Sequence, residues 1–247
     1  MADLAAAAAS GAAAAPAAGM EGRRPRVKIC GVTRPEDARS ALDRGAELIG
    51  LNFYPPSPRA LGESEAKALI EQADPGRVAL WVGVFVNEPI ERARALGERV
   101  GLDLLQFHGD ESPRDLAPVA ARSIKALRVR ERLTPELLEP WLDLGLWGLL
   151  VDARHETLYG GSGRGWDFAS ASGRLETRSG EAAPRLLIAG GLGPDNVRQA
   201  AAAARPWGLD LASGVESSPG VKDPILIQRL FSQLTEEMPH GTTPSQA

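Results

Sequence analysis

The strongest constraint on this chain is an alternation. Eight short runs rich in Val, Ile and Leu, at 27–30, 47–52, 78–86, 103–107, 123–128, 147–152, 186–189 and 208–211, are separated mostly by segments with helix punctuation. Short apolar strands followed by amphipathic, capped segments are the pattern of parallel strands joined by crossover helices. Thr33 with Glu36 spells a capping box before ARSALDRG, and Gly45 stops that helix. Thr134 followed by Pro135 opens PELLEPWL, Asn87 and Pro89 precede a third helix, and Pro194 begins PDNVRQAAAAA. The segment ASASGRLETRSGEAAP, after the sixth strand, reads as loop.

Eight β-then-α units suit either a closed barrel or an open doubly wound sheet, and the placement of unusual residues favours the barrel. Cys30-Gly31, Pro56-Ser57-Pro58-Arg59, His108-Gly109-Asp110, Asp152, Gly190-Gly191 and Ser213-Gly214 all follow strand ends, spread over six different strands. An open sheet concentrates ligand contacts at one switch point, whereas a ring lets loops from every strand converge. The expected fold is therefore α/β, a single (β/α)8 TIM barrel. It takes up residues 26–235, between a disordered Ala-rich tail at 1–25 and a polar C-terminal tail at 236–247. Met20, inside the first tail, is a second candidate start. A barrel of this kind takes roughly 200 to 250 residues, so the 247-residue length calls for no second domain.

Charge and cysteine content narrow the function classes. A formal net charge of -4 disfavours a nucleic-acid or anionic-membrane partner, which would need a basic face. A bound phosphate must then be held locally. The single cysteine makes no internal disulfide, and His108, His155 and His240 have no zinc-type spacing with it, so no metal site is expected. A reducing, cytoplasmic setting fits. No run of 18 strongly apolar residues suggests a membrane span. A monomer and a homodimer are equally compatible with the sequence.

Side chains alternate along a strand, so Lys28 and Cys30 in RVKICG share one face. If that face is the barrel interior, the thiol stands at the mouth with a lysine below it, and the lysine's charge favours the thiolate. A free cysteine in isolation reads as a small buried hydrophobe. Asp152 ends the sixth strand in GLLVDA, where its plain reading is a loop cap and its catalytic reading a carboxyl kept protonated by partial burial. Three glycine clusters, at 159–165, 188–196 and 212–220, could cradle an anion through backbone N–H groups, and the second and third lie where barrel enzymes commonly build phosphate sites. Arg59, in a loop stiffened by prolines, could fork onto a substrate carboxylate. Gln106 and His108 share a face of strand four, and no proton-transfer role is assigned to the histidine. By the same parity Lys28 and Asp210, on the first and eighth strands, both point inward and should form an ion pair, since an unpartnered buried lysine is costly.

Together, VKICGVTRPEDA, FYPPSPRAL, VGVFVNEP, LLQFHGDESP, VDA with YGGSGRGWDF, AGGLGPDNV and SGVESSPGVKD resemble the phosphoribosylanthranilate isomerase family from residue 26 to about 234. The resemblance implies a cofactor-free barrel of tryptophan biosynthesis that isomerises N-(5-phosphoribosyl)anthranilate, a small phosphosugar, to its 1-deoxyribulose derivative. It implies Cys30 as general base, Asp152 as general acid and Arg59 as the contact to the anthranilate carboxylate. Gly190, Gly191, Ser213 and Gly214, assisted by Gly161 and Gly163, would hold the phosphate. Ala212 stands where the family usually has serine, which places one hydroxyl contact near the phosphate in doubt, and WDF stands for the usual FDW. Two competitors are another phosphosugar enzyme on the same barrel and a non-catalytic metabolite-binding barrel. An indole-glycerol-phosphate synthase would use a lysine acid at a strand end. A histidine-pathway isomerase would end strand one in aspartate, where this chain has Cys30.

Overall fold

The computed structural model describes residues 24–153, 167–173 and 183–235. Eight parallel strands close into a barrel in sequence order: β1 (Arg26–Cys30), β2 (Leu48–Asn52), β3 (Leu80–Phe85), β4 (Leu104–Phe107), β5 (Ser123–Val129), β6 (Gly148–Ala153), β7 (Arg185–Ile188) and β8 (Gly208–Leu211). Each expected strand is found with its ends within two residues. The closure is direct, because β8 pairs with β1 in a register that sets Lys28 beside Asp210. Around the barrel run α1 (Pro35–Asp43), α2 (Glu63–Ala73), α3 (Ile90–Val100), the single turn α4 (Pro113–Leu116), α5 (Pro135–Leu142), α6 (Val197–Ala204) and α7 (Pro224–Thr235). Between β6 and β7 the described residues hold a 3-10 turn, Phe168–Ala171, and most of the segment read as loop, 174–182, lies outside the described residues.

The two faces of each strand go to different cores. Val27, Ile29, Ile49, Leu51, Leu149, Val151, Leu209 and Leu211 point outward against Ala38, Ala41, Ala66, Leu69, Ile70 and Leu230 of the helices. Leu48, Leu80, Val82, Leu104, Ile124, Ala126, Leu150 and Leu187 fill the interior. Both faces are buried, which is why the strands read as near-continuous apolar runs instead of alternating ones. The floor of the barrel, at the strands' N-terminal ends, is sealed by Trp147 and Trp207, edge to face at 5.2 Å. The Arg185 guanidinium lies 4.5 Å from the Trp147 ring centre. A closed floor leaves the opposite end as the way in.

Two local expectations are corrected. The Thr33–Glu36 capping box does not form: α1 starts after Arg34 without a side-chain cap, and the Thr33 hydroxyl donates to the Gly220 carbonyl at 2.6 Å. A tertiary partner has replaced the local one. Helix α6 begins at Val197 and not at Pro194, because Asn196 turns back and its Oδ1 accepts from Gly193 N at 2.8 Å. Gly45 does end the first helix, at φ +95°.

Candidate active site

The inward parity inferred from sequence delivers the expected side chains to one mouth. Cys30 ends β1 and Asp152 lies next to the end of β6; three steps around the ring separate these strands. Both follow an inward-facing position two residues earlier, Lys28 on β1 and Leu150 on β6, so both face the interior at its open end.

The cysteine side is charged, with buried groups beneath the partly exposed Cys30. The fully buried Lys28 Nζ donates to Asp210 Oδ1 at 2.8 Å, as parity required. Burial works against the lysine's charge, but Asp210 and Cys30 outweigh it and hold the ammonium above the ordinary lysine range. The cysteine departs from expectation. Burial pushes its thiol up, Asp210 adds to the rise, and Lys28 and Lys222 only partly offset it. In the free protein desolvation therefore wins over the neighbouring cation, and the thiol form is favoured.

Around the sulfur runs a second network that the sequence did not disclose. After β8 the chain makes a small hairpin of β9 (Glu216–Ser218) and β10 (Val221–Lys222). The buried Lys222 Nζ donates to the Cys30 carbonyl at 2.6 Å, to the Ala212 carbonyl at 3.1 Å and to Glu216 Oε1 at 2.7 Å. Glu216 in turn accepts both Nε and Nη2 of Arg59, at 2.8 and 2.5 Å. The fork of Arg59 thus meets a carboxylate of the protein itself, which corrects the expectation that this edge receives substrate; Nη1 and the second Nη2 hydrogen remain for a ligand. Burial opposes the Glu216 charge, yet Arg59 and Lys222 together hold the carboxyl below its usual range.

On the acid side Asp152 is about a quarter exposed, and its Oδ2 lies 3.2 Å from His108 Nε2. The other ring nitrogen of His108 is 3.2 Å from Gln106 Nε2. The imidazole is thus held between the buried Gln106 amide and the Asp152 carboxyl. Arg128, level with Asp152 on β5, donates through Nη2 to the His108 carbonyl. Beneath the loop, Lys125 donates to Glu111 Oε2 and to the Gly109 carbonyl, both at 2.7 Å, so the turn after β4 is braced from outside the barrel.

The glycine loops after β7 and β8 meet backbone to backbone. Gly190 and Gly191 both have positive φ, +94° and +66°, which turns the chain sharply after β7. A side chain at Gly214 would run into the Leu192 carbonyl and lie 3.0 Å from the Gly193 Cα, so the β8 loop can approach the β7 loop only because residue 214 lacks one. Ser213 opens a 3-10 turn, Ser213–Val215, beside this contact. Gly161 and Gly163 lie outside the described residues, as does the rest of 154–166.

The family model of N-(5'-phosphoribosyl)anthranilate (PRA) isomerase covers residues 27–233. The chain belongs to this family. A relative from Pelobacter propionicus, an N-(5'-phosphoribosyl)anthranilate isomerase, is 39% identical over 214 residues, 86% of this chain and 96% of the relative. The crystal structure of the phosphoribosylanthranilate isomerase of Thermotoga maritima superposes with a TM-score of 0.73 at 33% identity, covering 85% of this chain and 98% of the other. A second isomerase structure, in complex with reduced 1-(o-carboxyphenylamino)-1-deoxyribulose 5-phosphate, gives 0.70 at 32% identity, covering 85% and 98%. No described helix is long and apolar enough to cross a membrane.

Within this isomerase framework, sequence reasoning missed Glu216, Lys222 and the contact of His108 with Asp152. For His108 the signal was present: it shares strand-four parity with Gln106 and so faces the same interior as Asp152. Glu216 and Lys222 carried no such signal, because they lie on a hairpin whose spacing is irregular.

Proposed function

We propose that this chain converts N-(5-phosphoribosyl)anthranilate to 1-(2-carboxyphenylamino)-1-deoxyribulose 5-phosphate, a step of tryptophan biosynthesis, with Asp152 as general acid and Cys30 as general base. The observation that carries the assignment is the convergence of these two side chains on one barrel mouth, with the Gly190-Gly191 and Ser213-Gly214 loops alongside.

The protonated Asp152 carboxyl gives its proton to the ring oxygen of the ribose. The C1–O bond breaks toward that oxygen, and the anthranilate nitrogen lone pair forms the C1=N bond of an iminium ion. The Cys30 thiolate then takes the proton on C2; the C–H electrons form C1=C2 and the iminium π electrons return to nitrogen. Loss of the proton from the C2 hydroxyl and protonation of C1 complete the ketone, so the reaction is an isomerisation without net redox change. The same sequence accounts for a thiol that is raised in the free protein. Ring opening creates a cation one bond from the carbon whose proton Cys30 takes, and a cation within a few ångströms favours the thiolate.

His108, with Nε2 toward Asp152, orients the acid. Arg59, set in place by Glu216, contacts the anthranilate carboxylate through its remaining hydrogens. Backbone N–H groups of Gly190, Gly191, Ser213 and Gly214, assisted by Gly161 and Gly163, hold the phosphate. Such a site needs no basic surface, in keeping with the net charge of -4. Complementation of a tryptophan auxotroph lacking the isomerase tests the reading, and purified protein should turn over the substrate without added cofactor. Binding of a product analogue without turnover would instead make this a metabolite-binding barrel.

A further inference from the structure

Lys28, Asp210 and Gly50 form a unit directly beneath the Cys30 sulfur. Lys28 and Asp210 are register partners on β1 and β8, buried in the interior and joined at 2.8 Å. On the other side, Gly50 of β2 pairs with Cys30. A Cβ built at Gly50 would lie 2.8 Å from the Cys30 sulfur, 3.1 Å from the Cys30 Cα and 3.1 Å from Lys28 Nζ. The thiol and the ammonium therefore come together over the space left by the missing side chain. Gly50 is not among the residues with positive φ, so the backbone has no need of glycine there; the need is spatial.

We propose that Lys28, Asp210 and Gly50 are positioning residues for proton removal at the substrate's C2: Gly50 admits the thiol to the ammonium, and the Lys28–Asp210 pair sets how readily Cys30 becomes thiolate. This rests on Cys30 being the base. The charged groups that face the sulfur are Lys28 on its own strand, Asp210 on β8, Lys222 on the hairpin after β8, and Arg59 after β2. Lys222 and Arg59 are bound to Glu216. Asp210 is bound to Lys28, and after burial itself these two are the strongest influences on the thiol. The two members of the pair act in opposite senses. The ammonium stabilises the thiolate, and the carboxylate both opposes it and fixes the ammonium.

The chain has one cysteine, so alkylation by iodoacetamide reports on Cys30 alone. The pH midpoint of the alkylation rate should rise by about one pH unit or more in Lys28→Met and fall by a similar amount in Asp210→Asn, since a charge within a few ångströms moves a titration by that much. Gly50→Ala, which keeps both charges and pushes the thiol off the ammonium, should also raise the midpoint and should lower kcat more than it raises KM. Opposite shifts in the two charge variants are a signature that a purely structural pair would not give. Equal midpoints in all variants, or shifts of the same sign for Lys28→Met and Asp210→Asn, would overturn the proposal. If Lys28→Met does not fold, Asp210→Asn and Gly50→Ala decide by the opposite directions expected of them. Opposite midpoint shifts with unchanged turnover would uphold the control of the sulfur and remove Cys30 as the base.

Discussion

The two sides of the barrel mouth are built differently. Around Cys30 the groups are charged and paired: Lys28 with Asp210 and Lys222 with Glu216 and two carbonyls in the interior, and the partly exposed Arg59 with Glu216. Around Asp152 the carboxyl and the His108 ring are partly exposed, and the ring rests on the buried Gln106 amide. The difference follows the chemistry proposed for each. A base that must take a proton from carbon gains from a fixed, dry environment in which nearby charges act at full strength. An acid that delivers its proton to oxygen and must recover one benefits from access to water.

If this contrast is correct, Cys30→Ala is the most damaging change, with kcat lowered by about 10³-fold or more and an unaltered circular-dichroism spectrum, because general-base catalysis contributes on this scale. Measurable residual turnover near the native rate would reassign the base. Asp152→Asn should cost about 10²-fold to 10³-fold in kcat with little change in product-analogue affinity, since the amide preserves the shape and loses the proton. The contrast also predicts a pH profile in which kcat/KM climbs on the alkaline side of the ordinary thiol range, because burial raises the Cys30 titration in the free protein. A profile flat from pH 7 to 10 would break that link.

Glu216→Gln tests whether the charged network matters as a unit. It leaves Lys222 and Arg59 without their carboxylate, and breaking a buried pair typically costs about 3 kcal/mol of stability. An accompanying rise in KM of about 10-fold is expected as Arg59 loses its orientation, a loss that Glu216→Asp should partly restore. Because the folded state holds Glu216 below the usual carboxylate range, its contribution is present above the unfolded-state value and is lost as pH falls through the folded one. The difference in stability between native protein and Glu216→Gln should therefore shrink in acid, as thermal unfolding between pH 7 and pH 3 would reveal. The smallest effect is expected on the open side. His108→Ala, which removes the ring beside Asp152, should lower kcat by about 10-fold at most.

What the sequence disclosed and what it withheld divide along the same line. Strand parity placed Lys28, Cys30 and Asp210 inside and paired two of them across the barrel closure, and Asp152 was read at the end of its strand. Period-two geometry is local, and the ring closes in sequence order, so neighbours in space follow from neighbours in the list. The thiol's environment was misjudged because a nearby lysine is visible in RVKICG, whereas the depth of burial that outweighs it is a property of the assembled barrel. Arg59 was correctly placed at the mouth, yet its bonding partner stands 157 residues away on an irregular hairpin. Thr33 shows the same effect in a helix cap: a sound local motif yielded to a carbonyl 187 residues distant.

The reach of Glu216 has a consequence for how such an enzyme can change. One carboxylate braces the arginine assigned to the aromatic end of the ligand, while its own segment continues directly from the turn assigned to the opposite, phosphorylated end. Selection for a bulkier or differently charged ring would therefore disturb the anion grip through the same residue. Divergence toward new substrates from this scaffold should need paired replacements at 59 and 216, and single replacements at either position should trap the lineage in weak binders.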